Sequence, residues 1–477
     1  MKLLYELNES KDGLVLINGK QIEGKVEIPP MADFCGKTYP VTEIGRFINK
    51  DSCHQSVSII VPDTVTAIRN GAFEGCNQLT KIVIPDSVTE IGERAFKGCT
   101  HLTRIVMPNS LTTIKDSVFK ECSSLSSIDI PETVTAIENS AFENCSQLTI
   151  LVIPDSVRKI GNCSFRRCEN LTGIDIPDSV IEIGDRAFDG CRSLTDMVIP
   201  DSVTEVGEGA FCDCSGLNNV VIGKSVKEIG DKVFSGCRMM TSLVIDSATT
   251  IGSGAFEYCT SLTVVVIPDT VRCIGSGAFR SCLRLTSIVL PKSVTFVHNE
   301  TFTYCYGLTN VVIPDTVVSI GNRAFKGCSS LSGIIIPDSV KVINESAFEG
   351  CRELTTVVMG KRLKEIGDYA FKNCEKLTDI VIPKSIEKIS ANAFVGCNKL
   401  KEKPTEKPKE KESGVQLTWG SVCVACRQWD EIYYEGWMLN GEPTGEGHYY
   451  RVGMDTYGYP EDLDPPGMTE EDYLEIM

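Results

Sequence analysis

The stretch IVIPDSVTEIGERAFKGC, Ile82–Cys99, decides the fold, because a close variant of it, IVMPNSLTTIKDSVFKEC, begins 23 residues later at Ile105. A phenylalanine and, three residues later, a cysteine recur in fifteen such copies, from Phe73–Cys76 to Phe394–Cys397. A fixed internal period of this length predicts a solenoid of stacked coils. One copy orders too many backbone groups for the few apolar side chains that it buries, so the copies must share a core.

Within one copy the apolar residues change their spacing along the chain. They are Leu79, Ile82, Ile84, Val88, Ile91, Phe96 and Cys99. The alternation before Pro85 predicts a short strand with one buried face, and Pro85 ends that strand because it cannot donate to a ladder. Residues 88–91 indicate a second extended piece. The spacing of Phe96 and Cys99 predicts a helical or 3₁₀ turn, with Gly98 suited to its C-terminal cap.

The pattern L-x-x-I-x-I-P-x-S resembles the strand of leucine-rich repeats, and IPDSVTEIGERAFKGC resembles their BspA-like subclass. The likeness covers about residues 16–400. It implies a leucine-rich-repeat solenoid with short parallel β-strands in each coil and extended or 3₁₀ return segments. Serine or threonine replaces the asparagine of that family, as at Ser87 and Ser110, and we expect these hydroxyls to bond the neighbouring coil's backbone.

The chain divides by composition into four parts. Residues 1–57 are expected to form an N-terminal cap and irregular first coil, and residues 58–400 the fifteen-coil solenoid. The charged, proline-containing residues 401–413 are typical of a linker. Residues 414–477 hold all three tryptophans and seven of the thirteen tyrosines, which favours a small acidic β module. Within it, residues 434–450 resemble a single MORN repeat, a glycine-rich hairpin motif.

The cysteines that follow phenylalanine are expected to be core residues. Phe96, Cys99, Phe119 and Cys122 belong to this structural ladder, in which a thiol acts as a small apolar side chain. Disulfides between neighbouring coils are the alternative, since stacked thiols lie close enough to bridge.

Seven cysteines lie outside the ladder. Among them Cys423 and Cys426 have zinc-knuckle spacing without a second ligand pair, so a redox dithiol or a chance pairing competes with zinc.

Two departures interrupt the repeat. The step from Phe234 to Phe256 is 22 residues, beside a missing proline, and predicts either a local bend or ordinary drift. Gly223 and Gly360 replace proline in two other copies.

Charge and hydropathy exclude several classes of protein. The net charge of −17 argues against nucleic acid as a partner. No eighteen-residue apolar run predicts a membrane span, and the apolar start is too short for a signal peptide. By these features the chain is expected in the cytoplasm, whereas the family resemblance implies the cell surface or secretion.

No catalytic or cofactor motif is present, and the four histidines are scattered. The outward residues of the strands are better placed for binding, because the resemblance puts them on a concave surface. A ribbon of threonine and valine runs along it, although both are also simply good strand formers. The candidate binding residues are Lys81, Arg104, Asp129, Ile150, Asp196, Asn219, Asn310 and Asp379.

These features favour a non-enzymatic protein that binds other proteins. The resemblance implies a surface adhesin whose partner is a host or extracellular-matrix protein. An intracellular scaffold with a second partner site in residues 414–477 is the alternative. An enzyme that uses Cys423, with His448 as its base, is a third hypothesis.

Overall fold

A computed structural model describes residues 2–20, 24–46, 57–401 and 404, and the backbone of three strands within 417–453. The chain divides into two compact units, Met1–Glu406 and Lys407–Met477. The first unit is the solenoid that the repeat predicts, built from parallel strands, and no helix occurs among the described residues.

Each coil contributes one strand to a front ladder and one to a back ladder. Front strands pair in parallel, one repeat apart, as Arg104 does with Lys81 and Val106 with Val83. The front strands are Gly24–Glu27, Val57–Ile60, Leu79–Val83, Arg104–Val106, Ile150–Val152, Gly173–Asp175, Asp196–Ile199, Asn219–Ile222, Ser242–Ile245, Ser287–Val289, Asn310–Val312, Gly333–Ile335, Thr356–Val358 and Asp379–Ile380. Two further coils contribute only isolated bridges to this ladder.

The back ladder is built from shorter strands, mostly two residues long. Thr113–Ile114 pairs with Ala136–Ile137, and the same register repeats along the solenoid. The back strands are Ala67–Ile68, Glu90–Ile91, Thr113–Ile114, Ala136–Ile137, Lys159–Ile160, Glu182–Ile183, Glu205–Val206, Glu228–Ile229, Thr250–Ile251, Cys273–Ile274, Phe296–Val297, Ser319–Ile320, Val342–Ile343, Glu365–Ile366 and Lys388–Ile389.

The N-terminal residues begin the back ladder with longer strands. Lys2–Leu7 pairs antiparallel with Leu14–Lys20, which pairs in parallel with Lys37–Ile44. Met31–Phe34 forms a hairpin with the same Lys37–Ile44 strand. Because Lys37–Ile44 then pairs with Ala67–Ile68, this irregular region joins the first regular coil without a break.

The return segment of each coil is a chain of β-turns, with the three-residue hydrogen-bond step expected of a 3₁₀ turn and no continuous helix. The backbone N–H of Lys97 donates to Arg94 O and that of Cys99 to Phe96 O, each a three-residue step. Two positions per coil have left-handed backbone, at φ of +56° for Arg94 and +74° for Gly98. Between coils, Phe73 N donates to Ala95 O at 2.7 Å, so the segment forms a third inter-coil ladder instead of a helix.

The phenylalanines form one continuous stack through the core. Ring centroids of successive coils lie 5.1–5.8 Å apart, with interplanar angles of 2–19°. The widest spacing, 5.8 Å, separates Phe234 from Phe256 at the 22-residue coil. The ladders nevertheless pass through that coil, since Glu228 pairs with Thr250 and Asn219 with Ser242.

The serine and threonine hydroxyls bond to the preceding coil, as their position in the repeat predicts. Ser87 Oγ donates to Val65 O at 2.8 Å, and Ser110 Oγ donates to Val88 O at 2.5 Å. The acceptor lies 22 residues earlier in most regular coils, as for Ser339 and Val317, whereas the buried hydroxyl of Ser202 has no hydrogen-bond partner. Each such bond satisfies one backbone carbonyl in the turn between the front strand and the back strand.

In the C-terminal unit, three strands form an antiparallel sheet. Leu417–Ser421 pairs with Asp430–Leu439, which pairs with Glu442–Gly453. The second pairing has a bulge between Gly436 and Met438. The β character expected for this module is therefore present in its backbone, while its likeness to a MORN repeat stays a prediction.

Candidate functional site

The front ladder presents one buried and one outward face. In the first regular coil, Ile82 and Ile84 are buried in the core. Lys81 is exposed, and Val83 is half-buried. Strand alternation imposes this arrangement, because successive side chains point to opposite faces. We call the outward residues of this ladder the front face. It has three columns, which begin at Thr80, Lys81 and Val83.

The structure places the predicted binding residues on the front face. Those with described side chains are exposed, and Lys81 and Arg104 are directly paired neighbours. Asp129 lies in the valine column instead of the column of Lys81, although it is on the same face. Asp379 belongs to the strand Asp379–Ile380, and its side chain lies outside the described residues.

The valine column forms an apolar stripe along the C-terminal part of the front face. Nine consecutive coils place a β-branched residue there with exposed fractions from 37% to 80%. The apolar stripe consists of Val198, Val221, Val244, Val266, Val289, Val312, Ile335, Val358 and Val381. At about 4.8 Å per coil it is about 38 Å long. Contiguous exposed apolar surface of this extent is typical of interaction sites.

Among the described side chains of the front-face columns, the charged residues lie in the N-terminal part. Lys81 and Arg104 form a positive end, and Asp129, Asp175 and Asp196 follow as an acidic band. Asn219 Nδ2 donates to Asp196 Oδ1 at 2.5 Å, and this hydrogen bond lowers the pKa of the Asp196 carboxyl. The face therefore changes from charged to neutral and apolar along its length.

The threonine column is used by the solenoid itself. Thr80 Oγ1 donates to Val57 O at 3.0 Å, and Thr103 Oγ1 donates to Thr80 O at 3.1 Å. The same bond joins Thr286 to Thr263 further along. These hydroxyls already donate hydrogen bonds within the ladder. The side chains that a partner can contact therefore lie mainly in the columns that begin at Lys81 and Val83.

The column thiols are donors as well as apolar core atoms, which the sequence analysis did not foresee. Cys99 Sγ donates to Phe73 O at 3.2 Å, and the bond recurs in every later coil. The described cysteines are all free thiols, so the coils are not joined by disulfides. Burial raises the pKa of Cys99 well above its usual value, which keeps the thiol protonated and unreactive.

Three cysteines outside the column are half-buried. Burial raises the pKa of Cys163, and burial together with two nearby aspartates raises that of Cys212 to about 11. Cys273 Sγ lies 3.8 Å from His298 Nε2. The side chains of Cys423, Cys426 and His448 lie outside the described residues, so the zinc, redox and catalytic hypotheses for them stay predictions.

One group of described side chains has metal-ligating atoms close together. Atoms of Asp189, Cys212 and Asp213 lie within 4.8 Å of one another. However, Asp189 already accepts a hydrogen bond from Arg166 Nε at 3.0 Å. The guanidinium neutralises this carboxylate, and we assign the group no metal.

Among the described residues, no helix has the length and hydropathy to cross a membrane.

The comparisons with known proteins agree with the architecture. A search of curated proteins gave no significant match. A leucine-rich repeat protein from Bacteroides ovatus superposes with a TM-score of 0.66 at 28% identity, covering 84% of this chain and 92% of its own. A leucine-rich cell surface protein from Faecalibacterium prausnitzii, also 28% identical, gives a TM-score of 0.49 and covers 75% of this chain and 93% of its own.

The model of the BspA-type leucine-rich repeat region matches residues 42–172, 135–248, 181–309 and 297–408. These overlapping matches span most of the solenoid and well over half of the chain. The protein therefore belongs to the family of BspA-type leucine-rich repeat proteins.

Proposed function

We propose that this chain is a non-enzymatic adhesin, whose front face binds a host or extracellular-matrix protein. The observation that carries the proposal is the apolar stripe from Val198 to Val381. In the described residues, exposed large apolar side chains elsewhere in the solenoid are few outside the front face and one neighbouring edge. Repeat proteins of this family build extended faces that suit protein partners.

The chemistry of the front face fits an extended polypeptide. Its apolar stripe can bury apolar side chains of the partner. The positive end at Lys81 and Arg104 and the acidic band can fix the direction in which the partner chain binds. Charged pairs at the rim of an interface mainly set specificity and the rate of association. We therefore expect charge to orient the partner and the valines to hold it.

A binding assay tests this function on the full chain. The probe is the decellularised matrix of cultured fibroblasts, with retained chain quantified by antibody. We expect saturable binding, and Lys81→Glu with Arg104→Glu should weaken it several-fold, more at low salt than at high salt. Binding that neither saturates nor responds to charge reversal would remove the matrix as partner.

An intracellular scaffold is the alternative, and the location of the protein separates the two. Intact cells are treated with protease and the chain is followed by antibody. Loss of the full-length chain supports the adhesin. Protection in intact cells, with cleavage after lysis, supports the scaffold, for which the front face would bind an intracellular partner.

A further inference from the structure

The edge of the solenoid beside the front strand has its own residue pattern. It consists of three residues per coil, the one before the column cysteine and the two after it. In the first regular coil these are Gly75, Asn77 and Gln78. Along the fifteen coils the edge is made mostly of glycine, serine, threonine, asparagine, glutamine and charged residues. Such residues suit exposed turns and offer a partner little apolar surface.

Four consecutive coils, from Cys237 to Cys305, depart from that pattern. They hold all five of the large apolar or tyrosine side chains on the edge, and all five are exposed, by 36–59%. We call these residues the edge patch: Met239, Tyr258, Leu283, Tyr304 and Tyr306. In a repeat protein, each residue can be compared with the residues at the same position of the other coils. A cluster of unusual residues in neighbouring coils therefore indicates a selected feature rather than drift.

The edge patch is held in place by its backbone. Tyr258 N donates to Arg280 O at 2.8 Å, and Gly307 N donates to Leu283 O at 2.9 Å. Tyr258 and Tyr304 have left-handed backbone, at φ of +59° and +61°. Seven coils place glycine at this position and six place other non-aromatic residues, all with left-handed backbone, so only these two coils place an aromatic ring there.

Two of the tyrosines form a compact unit. The ring centroids of Tyr304 and Tyr306 lie 6.0 Å apart at an angle of 50°. A Cβ added to Gly327 would lie 2.7 Å from Cδ1 of Tyr304, so this ring packs closely on the next coil. Ordered aromatic side chains lose little entropy when a partner covers them.

Two unpaired arginines lie among these residues on the edge. Arg238 and Arg284 are exposed, and neither has an ion-pair partner among the described side chains. Of the edge arginines in other coils, Arg192 pairs with Glu169 at 3.6 Å and Arg352 with Glu375 at 3.5 Å, whereas Arg167 has no ion pair among the described side chains. The edge patch thus combines apolar area with uncompensated positive charge in a chain of net charge −17.

We propose that the edge patch, with Arg238 and Arg284, docks a short acidic segment of a partner protein that carries an apolar side chain. Tyrosine and arginine dominate the residues that contribute most to protein interfaces, and here they occur together. Three coil steps span about 14 Å, which corresponds to about four residues of an extended chain at about 3.4 Å each. The guanidinium groups would pair with carboxylates on either side of the apolar residue.

This docking site borders the front face but does not depend on it. In the coils of the edge patch the edge residues precede the front strand by three to six positions, and the apolar stripe lies beyond the first buried residue of that strand. A partner could occupy either surface without the other. Variants of each surface must therefore be tested separately.

The experiment selects peptides from a displayed random twelve-residue library on the immobilised full chain. Selected peptides are synthesised with fluorescein, and their affinity is measured by anisotropy. Two variants bring the edge back to residues used in other coils: Tyr304→Gly with Tyr306→Ser, and Arg238→Ser with Arg284→Ser. The matched control is Arg192→Ser with Arg352→Ser, which changes edge arginines outside the edge patch.

We expect the selected peptides to be acidic with an aromatic or aliphatic residue. Each edge-patch variant should weaken their binding at least tenfold, whereas the control pair and threonine substitutions in the apolar stripe should change it less than twofold. Peptides without acidic residues, peptides insensitive to the edge-patch variants, or no enriched family at all would overturn the proposal. A dimer in sedimentation that the tyrosine variant abolishes would also overturn it, in favour of self-association.

Discussion

At the scale of the residue, the column cysteine shows what a repeated thiol contributes. Its side chain is small enough for the inner turn beside phenylalanine, and its S–H donates to a carbonyl of the coil before. Cys122 Sγ, for example, lies 3.1 Å from Phe96 O. The sequence pattern predicts the burial, because cysteine occurs at an apolar position. The hydrogen bond depends on the placement of a carbonyl, which no residue type encodes.

Burial of these thiols makes the free energy of unfolding depend on pH in the alkaline range. It raises the pKa of Cys305 to about 12, whereas an unfolded thiol titrates near about 8.5. Below about pH 8 the thiol is protonated in both states, so its contribution to stability is complete. As pH rises above that value, the unfolded state ionises first, and the free energy of unfolding falls by about 1.4 kcal/mol per pH unit for each such thiol.

We therefore predict that Cys305→Ala destabilises the protein less at pH 10 than at pH 7.5, by about 2 kcal/mol. Urea unfolding under reducing conditions, followed by circular dichroism, measures both values. Comparing the variant with the natural chain cancels the titration of lysine and tyrosine. An unchanged difference between the two pH values would contradict the burial of this thiol.

At the scale of the element, the return segment is where sequence and structure differ most. Phe96 and Cys99 are three residues apart, as in a helical turn, and the period alone cannot separate a helix from linked β-turns. The deciding feature is the left-handed backbone at Arg94 and Gly98. Glycine marks the Gly98 position in seven coils and the Arg94 position in four, so it signals neither position throughout the repeat. Where the residue is not glycine, the hydrogen bonds between coils impose the left-handed backbone.

The hydroxyl ladder is an element whose bonds can be removed one at a time. Ser339→Ala leaves Val317 O without its donor at 2.7 Å, and we expect a loss of about 1 kcal/mol in the free energy of unfolding. Ser339→Thr is the matched control, because Thr316 makes the same bond in the coil before. Equal stability of the alanine and threonine variants would show that the bond contributes nothing.

At the scale of the whole molecule, the period determines the architecture and leaves the function open. The solenoid, its core and its front face follow from the spacing of Phe, Cys, Ile and Leu. The edge patch does not, because Tyr304 and Tyr306 are not part of the apolar period and become a surface only when neighbouring coils are placed side by side.

The stack also predicts which deletions the fold tolerates. Removing residues 329–351 deletes one complete coil and joins Cys328 to Arg352, so the front, back and return ladders all keep their register. We expect a folded chain with a slightly lower unfolding midpoint, since contacts are made only between neighbouring coils. Removing residues 329–340 shifts Phe348 out of the stack. Cooperative thermal unfolding of this second variant, equal to that of the first, would contradict the model of stacked coils.

The central claim is that the apolar stripe of the front face binds the partner. The direct measurement compares the affinity of the full chain for immobilised fibroblast matrix with that of a variant carrying Val266→Thr, Val289→Thr and Val312→Thr. Threonine keeps the shape and strand preference of valine and removes an exposed methyl group. The matched control places Ile181→Thr, Val318→Thr and Val342→Thr on or beside the back ladder.

We expect at least a tenfold loss of affinity for the front-face variant and less than a twofold change for the control, with unchanged circular dichroism for both. Equal affinities of the two variants, or a greater loss in the control, would contradict this expectation and move the binding surface away from the front face.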